Sequence, residues 1–434
     1  MGFQGPKTAE WYQRARQSLV GGVSSGFRYW GDDDTLVIDR GEGAYVFDMD
    51  GRRYVDYQLG FGPVILGHGY PDVVAAVAEA AAEGTTFAMT QRREVEAAEK
   101  VKQAVSWVEL LRFTNTGTEA TMHAIRLARG ATGRDTILKF EGQYHGVHDY
   151  LMFSTPGAPP DRLGPRDSPT PLPSSKGIPQ AIRDLIRTLP FNDLDLVDKL
   201  FGDSGSEIAG IIVEPMLGNA YGIMPETGFL EGLRRICDEH GALLIFDEVK
   251  TGFRISLGGA QEYFGVTPDL ATFAKSMGNG FPVAAVAGRG AAIRGWSEGV
   301  QQAGTYSANG VAAAAVSATI EVLQAGALAR AVRAGEELMR GIREIIFRRG
   351  LPAHVVGHPT MFGIYLGQDP PHDFRDKAHH DEALYDKIMA ALIPRGVLPC
   401  PDALEPWFVS AAHGDSEVAA TLTAFDDSLA DVLG

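Results

Sequence analysis

Between residues 61 and 310, short apolar runs rich in β-branched residues alternate with longer stretches of helical pattern. This alternation is typical of a mostly parallel sheet covered by helices on both faces, so we predict an α/β fold with a large domain over residues 61–310. Helices are predicted over Thr118–Arg129 and Thr227–His240, and Gly241 stands where a helix-ending glycine is favoured. The predicted strands are Leu110–Thr114, Thr136–Phe140, Ala209–Val213, Leu243–Asp247, Leu270–Ala274 and Val283–Gly288.

The two ends of the chain predict a smaller α+β domain. Residues 311–434 contain most of two long predicted helices, Gly310–Ala325 and Leu328–Arg349, then shorter strands and a last helix. We expect residues 1–60 and 311–434 to combine into one small domain beside the large sheet. In residues 1–60 the pattern predicts a small antiparallel meander with strands Leu36–Asp39, Ala44–Asp48 and Tyr54–Asp56.

One segment, Ser154–Gln180, interrupts the alternation because it is dense in proline, glycine and serine. Long segments without regular structure in compact domains are usually lids, binding loops or disordered. We interpret Ser154–Gln180 as a mobile lid.

The net charge of the chain limits the classes of partner that it is expected to bind. The chain has 39 basic and 55 acidic residues, a net charge of −16, which repels nucleic-acid phosphates and anionic membrane surfaces. We therefore expect neither nucleic-acid nor membrane binding. The N-terminal stretch lacks the apolar core of a signal peptide, and no later run reads as a membrane span, so we expect a cytoplasmic protein. Cys237 and Cys400 are far apart without metal-ligand spacing, which predicts no metal site and no disulfide.

A candidate phosphate site lies where a predicted strand gives way to a helix, at Asn115–Glu119. The first turn of a helix presents unpaired N–H groups and a positive dipole end. Gly117 lets a phosphate approach the backbone, and Thr116 and Thr118 add hydroxyl donors. The alternative is a capping box formed by Thr116 and Glu119, which many helices carry without any ligand.

Three predicted strands end in ionisable residues. Glu214 and Asp247 each follow an apolar run, and Lys275 follows another run and opens a glycine-rich turn. In open parallel sheets, ligands bind beyond the carboxyl ends of the strands. A lysine at a dry strand end loses its charge easily, and a neutral amine is what Schiff-base chemistry requires. The alternatives are helix-capping or metal-binding acids and a solvent-exposed lysine.

Together these features match what pyridoxal 5′-phosphate (PLP) requires. A phosphate cradle, the Asp247 carboxylate for the pyridine nitrogen and the Lys275 amine for the Schiff base are its three anchors. Tyr144 and His145, after the strand that ends at Phe140, supply an aromatic face for the cofactor ring. The sequence therefore predicts a PLP enzyme with Lys275 and Asp247 as its catalytic residues.

From about Leu19 to its end, the chain resembles the class-III aminotransferases of the fold-type I PLP-dependent transferases, and among them the glutamate-1-semialdehyde 2,1-aminomutases. The segments that carry the resemblance are Gly62–His68, Asn115–Arg129, Lys139–Gly146, Asn192–Asp193, Val213–Pro215, Asp247–Arg254, Gly265–Leu270 and Gly304–Asn309.

The resemblance implies a role for each candidate residue. Gly117 and Thr118, with Thr116 beside them, would bind the phosphate. Tyr144 and Val249 would lie on the two faces of the ring. The remaining positions implied are His145 in the cofactor shell, Glu214 and Asn219 near the phenolic side of the ring, Asp247 at the pyridine nitrogen, Lys275 as the Schiff-base amine, and Thr305 as a phosphate ligand from a neighbouring subunit.

The resemblance also implies partners. Thr305 implies a homodimer with shared active sites, and the substrates would be a small amino donor and a keto acid. Arg28 and Glu405 match aminomutase residues near the substrate, where a guanidinium is suited to holding a carboxylate.

Several positions depart from the aminomutase pattern: Phe61 replaces a tryptophan, Asn279 interrupts a glycine run, and Gly310 stands in place of a proline. We therefore favour an aminotransferase acting on a carboxylate-bearing amino compound, with β-amino acids as a candidate class. Glutamate-1-semialdehyde 2,1-aminomutase is the alternative.

Overall fold

The computed structural model describes residues 2–434, and its strands form three sheets. The strands in this part of the chain are β1 (Ile38–Glu42), β2 (Tyr45–Asp48), β3 (Arg53–Asp56), β4 (Leu110–Thr114), β5 (Thr136–Phe140), β6 (Ile186–Leu189), β7 (Ile208–Val213), β8 (Leu243–Glu248), β9 (Leu270–Phe273), β10 (Ala284–Gly288), β11 (Ala353–His358), β12 (Met361–Leu366), β13 (Val397–Leu398) and β14 (Trp407–Phe408).

The helices cover the sheets and form most of the remaining surface. They are α1 (Pro6–Ser18), α2 (Pro71–Glu83), α3 (Arg92–Ala104), α4 (Gly117–Thr132), α5 (Gln180–Arg183), α6 (Leu194–Ser204), α7 (Phe229–His240), α8 (Gly259–Phe264), α9 (Gly290–Arg294), α10 (Gly310–Val322), α11 (Leu328–Arg349), α12 (Glu382–Leu392) and α13 (Asp415–Leu433).

The large sheet has seven strands in the order β4-β10-β9-β8-β7-β5-β6. Its strands are parallel except β10, which is antiparallel to both neighbours. Strands β5, β7 and β9 are buried along their whole length, which explains their continuous apolar runs. Because β4 and β9 both oppose β10, the carboxyl ends of β4, β5, β7, β8 and β9 meet at one edge of the sheet.

The six predicted strands of this sheet are present, within one residue of their predicted ends. Sequence analysis missed β6, a four-residue strand at the sheet edge whose Ile-Arg-Thr-Leu run is too short to give a periodic signal. The meander is also present, but its first strand begins at Ile38 and continues to Glu42, so Leu36–Asp39 was misplaced.

The two ends of the chain share a sheet. Strand β13 pairs in parallel with β3, which extends the β1-β2-β3 meander by a strand from the C-terminal region. A separate three-stranded sheet, β11-β12-β14, lies in the C-terminal region alone. The domain limits at residues 60 and 310 stay a prediction, and this shared sheet gives them a physical basis.

The expectation that no run is long and apolar enough to span a membrane is wrong for one segment. The continuous helical segment Gly310–Arg349 has a window of mean hydropathy 1.6 that passes this test by length and composition. Of that window, 56% is buried inside the protein, as in the core helix of a water-soluble fold. The run was overlooked because charged residues in α11 interrupt it, whereas α10 is made almost entirely of small apolar residues.

The segment Ser154–Gln180 contains little regular structure, as predicted, but part of it is packed. Leu163 is fully buried, and Phe153 forms an isolated bridge with Pro173. Arg166 pairs with Asp193 and with Asp373 of the C-terminal region. The first half of the predicted lid is therefore tied to both parts of the protein.

Candidate active site

A cleft of about 140 Å³ opens at the carboxyl edge of the large sheet. Strands β4, β5, β7, β8 and β9 each contribute a residue to it within five residues of their carboxyl ends, because these ends meet at this edge. The residues that line the cleft are Gly117, Thr118, Thr121, Tyr144, His145, Gly146, Glu214, Asn219, Asp247, Val249, Lys250 and Lys275.

The N-terminus of α4 forms one end of the cleft. The Thr116 hydroxyl accepts the Glu119 N–H at 3.1 Å, so Thr116 caps the helix. The Glu119 carboxylate accepts the Asn115 N–H at 2.7 Å rather than that of Thr116, so the reciprocal bond of a capping box is shifted by one residue. Gly117 and Thr118 nevertheless line the cleft, whereas Thr116 is exposed and lies outside it. A Cβ at Gly117 would lie 3.0 Å from Val249, so glycine lets the two segments close together.

Asp247 is a buried carboxylate held by three donors. Its Oδ1 accepts the Thr272 hydroxyl at 2.8 Å and the Val249 N–H at 3.1 Å, and its Oδ2 lies 2.7 Å from His145 Nδ1. Burial lowers the pKa of His145, although the Asp247 carboxylate opposes this shift. With His145 neutral, Asp247 keeps its negative charge available for a cationic group in the cleft.

On the opposite wall, Glu214 organises the segments that follow β5 and β7. Its carboxylate accepts the Tyr144 N–H at 2.7 Å, the Gly218 N–H at 3.0 Å and the Asn219 side-chain amide at 2.9 Å. Burial raises the pKa of Glu214 to about 7. Tyr144, placed by this contact, meets the Phe27 ring edge-on at 5.9 Å.

Lys275 follows β9 in a short 3₁₀ turn over Lys275–Gly278. Its φ of 47° is unusual for a residue other than glycine, and such strained backbone is concentrated at functional sites. The amine donates a hydrogen bond to the Phe61 carbonyl at 3.0 Å. Burial, followed by the nearby Lys250 ammonium, lowers the pKa of Lys275 to about 7.

The sequence analysis missed Lys250, the second lysine in the cleft. It lies two residues beyond β8 and pairs with Glu405 at 2.6 Å. Its position three residues after Asp247 could have indicated that it lies near the cleft. Its pairing with Glu405 could not be predicted, because the two residues are 155 positions apart in the sequence. Glu405, expected near the substrate, is placed beside the cleft by this pair.

Arg28 and Thr305, like Thr116, lie apart from the cleft lining. Arg28 is exposed on the N-terminal segment, beside Phe27, and among the described residues its guanidinium forms no hydrogen bond or ion pair. It does not pair with the nearby acids at 32–34, and the arginine that pairs with Asp32 is Arg16. Thr305 is exposed, as a residue that serves another subunit would be in a single chain.

Comparison with known proteins identifies the family. The family model described as "Aminotransferase class-III" matches residues 29–422. The chain belongs to the class-III aminotransferase family. The fold-type I architecture, the enzyme class and the PLP cofactor predicted from the sequence are confirmed, since a transaminase with PLP bound and a protein in its PLP internal aldimine form are among the structures that the chain matches.

Three relatives of this chain bear different names. A glutamate-1-semialdehyde 2,1-aminomutase of Gemmatimonas aurantiaca is 44% identical over 98% of this chain and 96% of its own. An omega-transaminase from Sphaerobacter thermophilus is 34% identical with a TM-score of 0.94, covering 99% and 98% of the two chains. A β-phenylalanine aminotransferase from Variovorax paradoxus is 26% identical with a TM-score of 0.85, covering 98% and 94%.

The residues that line the cleft fit PLP. Gly117, Thr118 and the first N–H groups of α4 suit a phosphate, and Asp247 is a buried anion suited to a protonated pyridine nitrogen. Tyr144 and Val249 line the cleft and can cover the two faces of a flat ring. The Lys275 amine completes the set at the same edge.

Proposed function

We propose that this enzyme is a transaminase that moves an amino group between a carboxylate-bearing amino compound and a keto acid, with β-amino acids as the candidate donor class. Family membership supports the reaction class. The names of two similar structures, an omega-transaminase and a β-phenylalanine aminotransferase, support the donor class.

One observation carries the choice of a transaminase over an aminomutase. Glu405 matches the acid near the aminomutase substrate, but both of its oxygens lie within 2.7 Å of the Lys250 ammonium. A carboxylate neutralised by an internal cation interacts less with a substrate. The pairing of Glu405 with Lys250 is thus a further difference from the aminomutase pattern, in addition to those at Phe61, Asn279 and Gly310.

The protein's contribution to the reaction follows from the charges in the cleft. When bound, PLP supplies a ring that withdraws electrons from the substrate carbon attached to nitrogen. Lys275, with its lowered pKa, can accept a proton from that carbon and return it. The buried Asp247 carboxylate favours a positive charge on its partner, and Glu214 and His145 hold the surrounding loops in place.

A second candidate function is glutamate-1-semialdehyde 2,1-aminomutase, because the 44% identical relative bears that name. The two reactions differ in what they need. A transaminase requires a separate keto acid to complete its cycle, whereas an aminomutase returns the amino group to the neighbouring carbon of the same molecule.

The deciding experiment uses this difference. We expect the holoenzyme to consume β-amino acids only when pyruvate or 2-oxoglutarate is present, and to leave glutamate-1-semialdehyde unchanged in the absence of a keto acid. Lys275→Ala is the matched control for uncatalysed conversion. Rapid isomerisation of glutamate-1-semialdehyde without a keto acid would establish the aminomutase instead.

A further inference from the structure

Lys250 occupies a position built for an ammonium group. Its Nζ donates to the Gly218 carbonyl and the Asn219 Oδ1, each at 2.7 Å, and to both oxygens of Glu405 at 2.6 and 2.7 Å. Its side chain is 6% exposed and that of Glu405 is 14% exposed. A Cβ at Gly218 would lie 2.9 Å from Lys250 Cδ, so the glycine makes room for the lysine stem.

The charge balance around Lys250 depends on Glu405. The other two acceptors are neutral, so Glu405 supplies the negative charge that a buried ammonium requires. Lys250 is also the one cationic side chain among the residues lining the cleft besides Lys275. If a substrate brought a second carboxylate into the cleft, the Lys250 ammonium that could bind it would therefore already be paired with Glu405.

We infer that the Lys250–Glu405 pair determines the choice between mono- and dicarboxylate substrates: Glu405 occupies the anion position at Lys250 and excludes a second substrate carboxylate. This inference rests on the proposed transaminase function. It makes Lys250 and Glu405 specificity-determining residues, with pyruvate-like acceptors preferred over 2-oxoglutarate.

Binding of unreactive acids tests the inference without turnover. Butyrate and glutarate, which differ in a second carboxylate, are titrated calorimetrically into PLP-loaded wild type and Glu405→Gln. The wild type should show no preference for glutarate. In Glu405→Gln, glutarate affinity relative to butyrate should rise by at least about tenfold, the lower end for a charge-assisted hydrogen bond.

Two further variants sharpen the result. Glu321→Gln is the matched control, because it breaks another lysine–glutamate pair, with Lys100 at 2.9 Å, which does not line the cleft. It should leave both affinities unchanged. In the double variant Lys250→Met/Glu405→Gln, the gain for glutarate should disappear.

The inference is overturned if the relative affinity for glutarate does not rise in Glu405→Gln, or if the double variant keeps the gain. If Glu405→Gln fails to fold or to retain PLP, Glu405→Asp preserves the charge but shortens its reach, and should give a smaller gain in the same direction. Since no turnover is measured, an absence of transaminase activity and a failure of this specificity role give different results.

Discussion

A lysine acts as a nucleophile or a base only when it is neutral, and burial brings Lys275 to that state near pH 7. In the unfolded chain this lysine holds its proton up to a pH of about 10.4. Between these values the unfolded state binds more protons, so the contribution of Lys275 to the stability of the apoenzyme rises with pH from about 7 and levels off near 10.4.

The same titration predicts the pH dependence of cofactor attachment. We expect covalent capture of PLP by the apoenzyme through Lys275 to be half-maximal near pH 7 and to rise with pH, because the neutral fraction of the amine rises. Borohydride fixation followed by mass spectrometry measures the adduct, with Lys275→Ala as the blank. A midpoint above pH 9 would show that the lysine is not neutralised by its surroundings.

Arg28 is the residue that reports on substrate rather than cofactor. If its guanidinium holds a substrate carboxylate, Arg28→Ala should raise KM for carboxylated amines by roughly 10- to 150-fold, the loss of a charge-assisted pair. The visible absorbance of bound PLP and the KM for an uncharged amine should not change. Arg16→Ala, which removes a nearby surface arginine paired with Asp32, is the charge-matched control. Equal effects on both amines would remove Arg28 from the substrate site.

At the scale of elements, the cofactor site depends on how closely the loop after β5 approaches the start of α4. Gly146 has a φ of 93°, and a Cβ there would lie 2.5 Å from Thr118 Oγ1 and 2.7 Å from its Cα. The Thr118 Cα belongs to the backbone of α4, so it cannot move aside as a side chain can. Glycine at this position therefore sets the width of the cleft at its phosphate end.

Gly146→Ala should lower both the melting temperature and the affinity for PLP, because the added methyl group must push α4 away. Backbone strain alone costs about 1–3 kcal/mol. Gly133→Ala is the matched control: it has a φ of 68° at the end of the same helix, but a Cβ there meets nothing within 4 Å. Equal losses of PLP affinity in the two variants would show that strain, rather than the collision, is responsible.

At the scale of the whole molecule, large apolar side chains are exposed near Thr305. The segment 85–89 lies against residues 309–310, and Phe87, Met89 and Tyr306 expose 48%, 80% and 64% of their surface. Exposed apolar groups of this kind mark interaction sites. We propose a homodimer in which Thr305 reaches the phosphate end of the partner's cleft.

Mixing two defective variants tests the shared site. Thr305→Ala should weaken PLP binding by roughly 10- to 150-fold, the loss of a hydrogen bond to a charged group. Dimers that combine a Thr305→Ala subunit with a Lys275→Ala subunit should recover one tight site, since that site takes its lysine from one chain and its threonine from the other. Light scattering confirms the dimer, and a failure of mixed dimers to recover tight binding would place Thr305 outside the site.

Local pattern was sufficient for most of the fold. Strands β4 and β5 were predicted with their observed ends. For β5 the reason is that a buried parallel strand is a mostly apolar run that stops where the chain leaves the core. The edge strand β6 and the start of β1 were not, because their pairing comes from neighbours rather than from their own composition.

The sequence by itself determined the enzyme class and the PLP cofactor, because Lys275, Asp247 and Gly117 each stand at an element boundary that short-range pattern reveals. Only the tertiary structure decided that Thr116 caps a helix outside the cleft and that His145 contacts Asp247 across 102 residues. It alone revealed the Lys250–Glu405 pair. The hydrophobic pattern of the sequence indicates which face of its own strand or helix a side chain lies on. Which charged residues pair across the chain depends instead on how distant elements pack together.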